Sequence, residues 1–180
     1  MTRADFIIPE CFIDTNLVET LVFGQGMCNH QKGCNQVTRI MQTKFADRFA
    51  VGIIDADKRM PGYTTEFNVV ATSSHLSLLR HKIKPHFIVK ISPACDGFIL
   101  DCAARSGVNP EKFNLPAQLK PFTTQTKNVL SSRDARFKSL FNSLAEDPEM
   151  DLMKSLLSYL AERSYSASDV DITNLFNKLI

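Results

Sequence analysis

The sequence predicts an α/β domain on a mainly parallel sheet, followed by a C-terminal helical extension. Three observations carry this. Over the first two-thirds of the chain, short apolar runs alternate with segments of helical periodicity. The run Phe49-Ala50-Val51-Gly52-Ile53-Ile54 is almost wholly apolar, the pattern of a strand covered on both faces in a parallel sheet. Beyond residue 107 no strand-like run follows, and Pro110, Pro116 and Pro121 divide short helical pieces.

Taken in order, Phe6-Ile7-Ile8 reads as a short buried strand. Leu17, Val18, Leu21 and Val22 recur at helical spacing after Asp14-Thr15-Asn16, residues suited to capping, and Gly24 and Gly26 stop that helix. Val37, Ile40, Met41 and Phe45 give an amphipathic helix over 34–48, ahead of the strand at 49–54. Phe67 to Val70 reads as a further short strand, while Leu76 to Leu79 fits a strand or a helical turn. Phe87 to Ile91 is a strand, and Pro93 suits the first turn of the helix carrying Phe98, Ile99, Cys102 and Ala103. Later helices are marked by Phe137 to Leu144, Met150 to Leu160 and Val170 to Leu179. Residues 1–107 are therefore expected to form the α/β core, with 108–180 packed on it as part of one unit.

Composition narrows the function classes. The 180 residues are 44% hydrophobic and 22% charged, the balance of a globular chain rather than a disordered one. No apolar run approaches the roughly 18–20 residues that span a membrane. Glu10 and Asp14 interrupt the opening segment, which does not read as a secretory signal. The five cysteines are then expected to be reduced thiols of a cytoplasmic protein. Cys28, His30 and Cys34 are zinc-type ligands, but their spacing is not that of a finger or ribbon, and they read as ordinary loop residues. A net charge of +2 excludes a strongly basic DNA-coating protein. Even so, the stretch from Lys120 to Lys138, with Arg133 and Arg136, is basic beside an acidic tail, which suits a phosphate-binding face or a solvated helix. No Gly-rich phosphate loop and no Gly-x-Ser-x-Gly elbow is present. Cys95 reads as a packed thiol rather than a nucleophile.

The informative residues are acids at strand ends. Glu10 follows the first strand, with Asp14 four residues on; Asp55 and Asp57 follow the strand ending at Ile54; Asp96 follows the strand ending at Ile91. In an open α/β sheet the ligand crevice lies beyond the carboxyl ends of the strands, so parallel neighbours would bring these carboxylates together. Such a cluster repels itself unless it shares protons or a cation. Mg²⁺ suits it, being held by one or two carboxylates plus waters and substrate phosphates.

Pro9-Glu10-Cys11-Phe12-Ile13-Asp14 and Ile54-Asp55-Ala56-Asp57 together resemble the Toprim domain of topoisomerases, primases and OLD-type nucleases, with its strand-end Glu and later Asp-x-Asp. The segment from Ser92 to Leu100 further resembles the Asn-Pro-x-x-Glu-x-Trp-x-Leu stretch of RloB-like Toprim proteins, which are associated with phage defence. The likeness covers about the first 105 residues. Pro9 stands in place of an aliphatic residue, Cys11 in place of a turn Gly, and Asp96 in place of a Glu.

The resemblance implies a Toprim-like, Rossmann-like fold and a Mg²⁺- or Mn²⁺-dependent nuclease or related phosphoryl-transfer activity on DNA or RNA. It implies Asp55 and Asp57 as metal ligands, Glu10 as ligand or general acid/base, and Asp96 and Asp14 as supporting ligands. Lys58 and Arg59 would meet the scissile phosphate, and Arg133, Arg136 and Lys138 the backbone. Two other classes stand beside it: a non-catalytic Toprim-like interaction protein whose C-terminal helices dock a protein partner, and a Mg²⁺-dependent small-molecule phosphatase or phosphotransferase.

Overall fold

The computed structural model describes residues 4–56 and 59–178. Strand β1 (Ile7–Pro9) leads into helix α1 (Phe12–Val18), which runs on as a π-helical turn over Glu19–Phe23. Helix α2 (Cys34–Thr43) and strand β2 (Ala50–Asp55) follow, then a short 3₁₀ turn at Gly62–Glu66. Strands β3 (Phe67–Thr72), β4 (Leu76–His81) and β5 (His86–Ile91) come next, and helix α3 (Cys95–Arg105) after them. The remainder is helical: a 3₁₀ turn at Pro110–Phe113, then α4 (Leu119–Lys127), α5 (Ala135–Ser143), α6 (Pro148–Arg163) and α7 (Asp169–Asn177). Among the described residues no helix is long and apolar enough to cross a membrane.

The five strands form one sheet in the order β1-β2-β5-β4-β3. β1, β2 and β5 run parallel, but β4 is antiparallel to both β5 and β3. The sheet is therefore mixed, which corrects the mainly parallel expectation. Chain length explains it: 73–75 and 82–85 are too short for the crossover of a dozen or more residues that a parallel return needs. Leu76 to Leu79 is strand, fixed by pairing on both sides.

Alternate side chains of the central strands enter opposite cores, the period-two consequence of the pleat. Ile7, Val51, Ile53, Phe87, Val89 and Ile91 face the larger core, with α1, α3 and the C-terminal helices. Ile8, Ala50, Ile54 and Ile88 face the smaller one, under Val37 and Met41 of α2. The expected double burial of β2 is thus observed. Gly52 marks the closest approach of α2: a Cβ there would lie 2.8 Å from Val37 Cγ1 and 2.9 Å from Met41 Sδ. Phe122, Phe137, Phe141, Met153, Leu156 and Phe176 of the C-terminal helices belong to the same core as the larger sheet face.

Three local expectations change. Asp14, Thr15 and Asn16 are buried inside α1 rather than capping it; Cys11 is the N-cap, its sulfur accepting the Asp14 N–H at 3.5 Å. Helix α2 stops at Thr43, well short of residue 48. Pro93 precedes α3 in a cis peptide bond instead of occupying its first turn.

A buried polar knot joins the β3–β4 turn to α3 and α6. His75 lies between Glu149 (Nδ1 to Oε2, 2.5 Å) and Asp101 (Nε2 to Oδ2, 2.9 Å). Burial works against charge on this imidazole, but hydrogen bonds to the two carboxylates outweigh it and raise its pKa above the usual 6.5. The folded chain then binds the His75 proton more tightly than the unfolded chain. Its stabilisation is complete below about pH 6.5 and is lost as pH climbs through the raised folded value. Urea unfolding at a series of pH values should show this decline from pH 6.5 upward in the native protein. His75→Gln should lack it, and identical pH profiles would refute the assignment.

Candidate functional site

The parallel register of β1, β2 and β5 brings their carboxyl ends to one edge, with Pro9 opposite Ile53 and Asp55 opposite Ile91. Hydrogen bonds then stitch the three ends together. Glu10 Oε2 accepts the Asp55 N–H at 3.2 Å, and Asp55 Oδ1 accepts the Cys95 N–H at 2.9 Å. Ala94, the N-cap of α3, offers no side-chain acceptor, so the helix start is capped from the neighbouring strand by Asp55. A carboxylate also suits the positive end of a helix dipole.

Asp55 and Asp96 line a cleft of about 390 Å³ with Cys11, Cys95, Thr126 and Lys127. Asp96 Oδ2 accepts a hydrogen bond from Thr126 Oγ1 at 3.2 Å, which ties α3 to α4. Both aspartates are half-buried, so each combines a fixed geometry with access to solvent. Lys127 brings a cation to the same wall. Its place among the basic residues of 120–138 was visible in the sequence; that α4 would fold it against strand-end acids was not.

The other sequence candidates fall differently. Glu10 is 1% exposed and lies behind Asp55 rather than in the cleft wall. Asp14 is fully buried and hydrogen-bonded to the thiols of Cys11 and Cys95. Burial first, and the Asp14 charge second, push both thiols far above their usual range, so each stays protonated. Cys95 is accordingly a packed thiol, as expected. His86 opens β5 and His81 closes β4, at the opposite end of the sheet from Cys95, and the two rings sit 6.0 Å apart.

Asp57 and Lys58 lie outside the described residues, and Arg59 is exposed just beyond them. Arg136 is spent on Asp134, its guanidinium donating at 2.6 and 3.1 Å. Arg133 and Lys138 line a separate pocket against α1 rather than the Asp55 cleft. The basic segment is thus divided, because α4 packs against α3 whereas α5 packs against α1 and the π-helical turn that follows it.

Cys28, His30 and Cys34 do not converge. Cys28 belongs to the larger core and Cys34 to the smaller, while His30 stacks on Phe12 at 4.2 Å and shares a hydrogen bond with Thr15. Their loop serves the sheet instead: the Asn29 and Gln31 N–H groups donate to Ile7 and Pro9 and cover the open edge of β1.

Among the described residues, no group of three or more His, Cys, Asp or Glu could hold a metal ion together. Mg²⁺ asks less, one or two carboxylates with waters completing its octahedron, and Asp55 and Asp96 line one open cleft. No family model, curated protein or solved structure matches the chain.

Proposed function

We propose that the chain is a Toprim-like, divalent-metal-dependent enzyme that cleaves phosphodiester bonds of nucleic acid at the Asp55–Asp96 cleft. One observation supports the reading above all: three parallel neighbours carry Glu10, Asp55 and Asp96 to a common edge, beside a cleft with Lys127 on its wall. Asp55 and Asp96, with Asp57 two residues after Asp55 in the sequence, would hold Mg²⁺ or Mn²⁺, which when bound neutralises phosphate charge and orients an in-line attack. Lys127 would meet a phosphate oxygen as a point charge. Glu10 is a positioning residue in this scheme, because it holds the Asp55 backbone and thereby the direction of its carboxylate.

Asp55→Asn tests the reading cleanly, since the amide oxygen can still accept the Cys95 N–H. Metal-assisted charge stabilisation is worth several kcal/mol, so cleavage of labelled single- and double-stranded DNA and RNA should fall ~100-fold or more. Cleavage that persists undiminished in Asp55→Asn and Asp96→Asn would end the proposal.

The non-catalytic interaction reading has its own support in the burial of Glu10, whose carboxylate is engaged by backbone instead of facing the cleft. It predicts no heat of Mn²⁺ binding by calorimetry and no functional loss on neutralising Asp55.

A further inference from the structure

The end of the sheet opposite the acidic cleft is held by two buried histidines. His86, the first residue of β5, is fully buried, and His81, the last of β4, is 6% exposed. Their partners come from three separate connections. His86 Nε2 lies 3.1 Å from the Arg48 carbonyl oxygen at the entrance to β2. Its Nδ1 lies 2.6 Å from the Tyr63 hydroxyl, in the 3₁₀ turn before β3. His81 Nδ1 meets the N–H groups of Ile83 and Lys84, each at 3.0 Å, inside the β4–β5 turn. His81 Nε2 reaches Glu66 Oε2 at 3.1 Å, at the close of the same 3₁₀ turn.

These partners dictate where the protons sit. A carbonyl oxygen only accepts, so His86 Nε2 carries its hydrogen and donates to Arg48. The bare Nδ1 then accepts from Tyr63. Backbone N–H groups only donate, so His81 Nδ1 is bare as well, and its Nε2–H donates to Glu66. A second proton on His81 would face two N–H donors. On His86 it would force the hydroxyl of Tyr63, itself 6% exposed, to turn its hydrogen away.

The charges around the pair come from the same connections. Burial first, then His81 and Lys84, oppose a proton on His86; the Arg48 carbonyl and Asp47 favour one, and the balance brings its pKa down to about 4. Lys84 is itself 3.6 Å from Asp47, Lys82 reaches the Thr65 carbonyl, and the Arg48 guanidinium lies over Phe45. Tyr63 keeps its hydrogen, since burial and then the charges of Glu66 and Asp47 push its pKa up. We propose that His81 and His86 form an acid-sensitive latch, in which protonation of the pair releases the connections at 44–49, 62–66 and 82–85 while the acid-bearing end of the sheet stays folded.

Once the latch opens, His86 returns to its usual 6.5, so the open form binds the proton more tightly than the closed one. Latching is complete above pH 6.5 and is lost as pH falls through the folded value near 4. Opening should rise roughly tenfold between pH 6.5 and pH 5, where the His75 contribution is already in place. Native-state hydrogen exchange of the full chain, corrected for intrinsic rates, tests this. The Ile83 and Lys84 amides should lose about tenfold in protection over that interval, while those of Asp55 and Cys95 at the far end hold theirs. His81→Asn with His86→Gln supplies a neutral acceptor to the turn and a neutral donor to Arg48, and should abolish the response. Nitrogen NMR of the native rings is independent of that variant's folding: at pH 6 His86 should be neutral, with its hydrogen on Nε2. Constant protection at Ile83 and Lys84, equal loss at both ends of the sheet, an unchanged response in the double variant, or a charged His86 at pH 6 would each overturn the latch.

Discussion

Replacing Glu149 with Ala should destabilise the protein by about 3–5 kcal/mol, the scale for removing one partner from a buried charged network. Oε1 of Glu149 accepts from Ser73 Oγ at 2.6 Å and the His75 N–H at 2.9 Å. Oε2 accepts from His75 at 2.5 Å and Arg105 Nη2 at 3.2 Å. Truncation would leave donors from the β3–β4 turn without an acceptor in a site where Glu149 is only 5% exposed. Arg105 would keep its paired bonds to Asp147 at 2.9 and 3.0 Å, so the damage falls on the turn rather than on the α3–α6 contact. For a chain of this length the loss corresponds to a fall in Tm on the order of 10 °C. Calorimetry on Glu149→Ala and Asp101→Ala separates the buried partner from the exposed one, whose loss should cost well under ~1 kcal/mol. A Glu149→Ala protein melting within 2 °C of the parent would refute the account.

Gly52→Val should be the most damaging change in the sheet. Even the Cβ of Ala would fall inside contact distance of Val37 and Met41, two fully buried side chains of α2. The far end of Met41 can move, but the branched Val37 on its helix has little freedom. Overpacking of this kind costs about 1–3 kcal/mol, with Val at or above the upper end. Gly52→Ala should lower the urea midpoint, and Gly52→Val should lower it further. Pairing Gly52→Ala with Val37→Ala should recover part of the loss, because the two sites share one space. A Gly52→Val protein as stable as the parent would mean that α2 does not approach β2 closely.

Much of this arrangement is legible in the residues themselves. The apolar run ending at Ile54 announces a strand buried on both faces, and Gly24 and Gly107 end their helices with positive φ. Strand direction is less legible in composition, since Leu76 to His81 would look the same in either sense; the brief connections at 73–75 and 82–85 decide it. That Glu10 and Asp55 end up at one edge follows from parallel strands; that Asp55 and Asp96 line the cleft while Glu10 is buried behind them does not. What each carboxylate bonds to is set by partners 30 and 40 residues away, Thr126 for Asp96 and Cys95 for Asp55. Periodicity is blind to these. Asp14 shows the same limit: its neighbours suggest a cap, while the thiols from two elements draw it inside. Lys127 carried no strand-end pattern, and only packing gives it its place.

The topology also sets an order of assembly. β3, β4 and β5 are consecutive, and joining them closes only brief gaps, so this meander can form early and cheaply. β2 must find β5 across about 30 residues, and β1 must find β2 across about 40, at greater loop-closure cost. The acid-bearing edge is then among the last parts to mature, and pulsed hydrogen exchange should protect Leu78 and Leu79 before Val51. A half-built chain therefore carries the meander without a working cleft, keeping the proposed cutting chemistry silent until folding is complete.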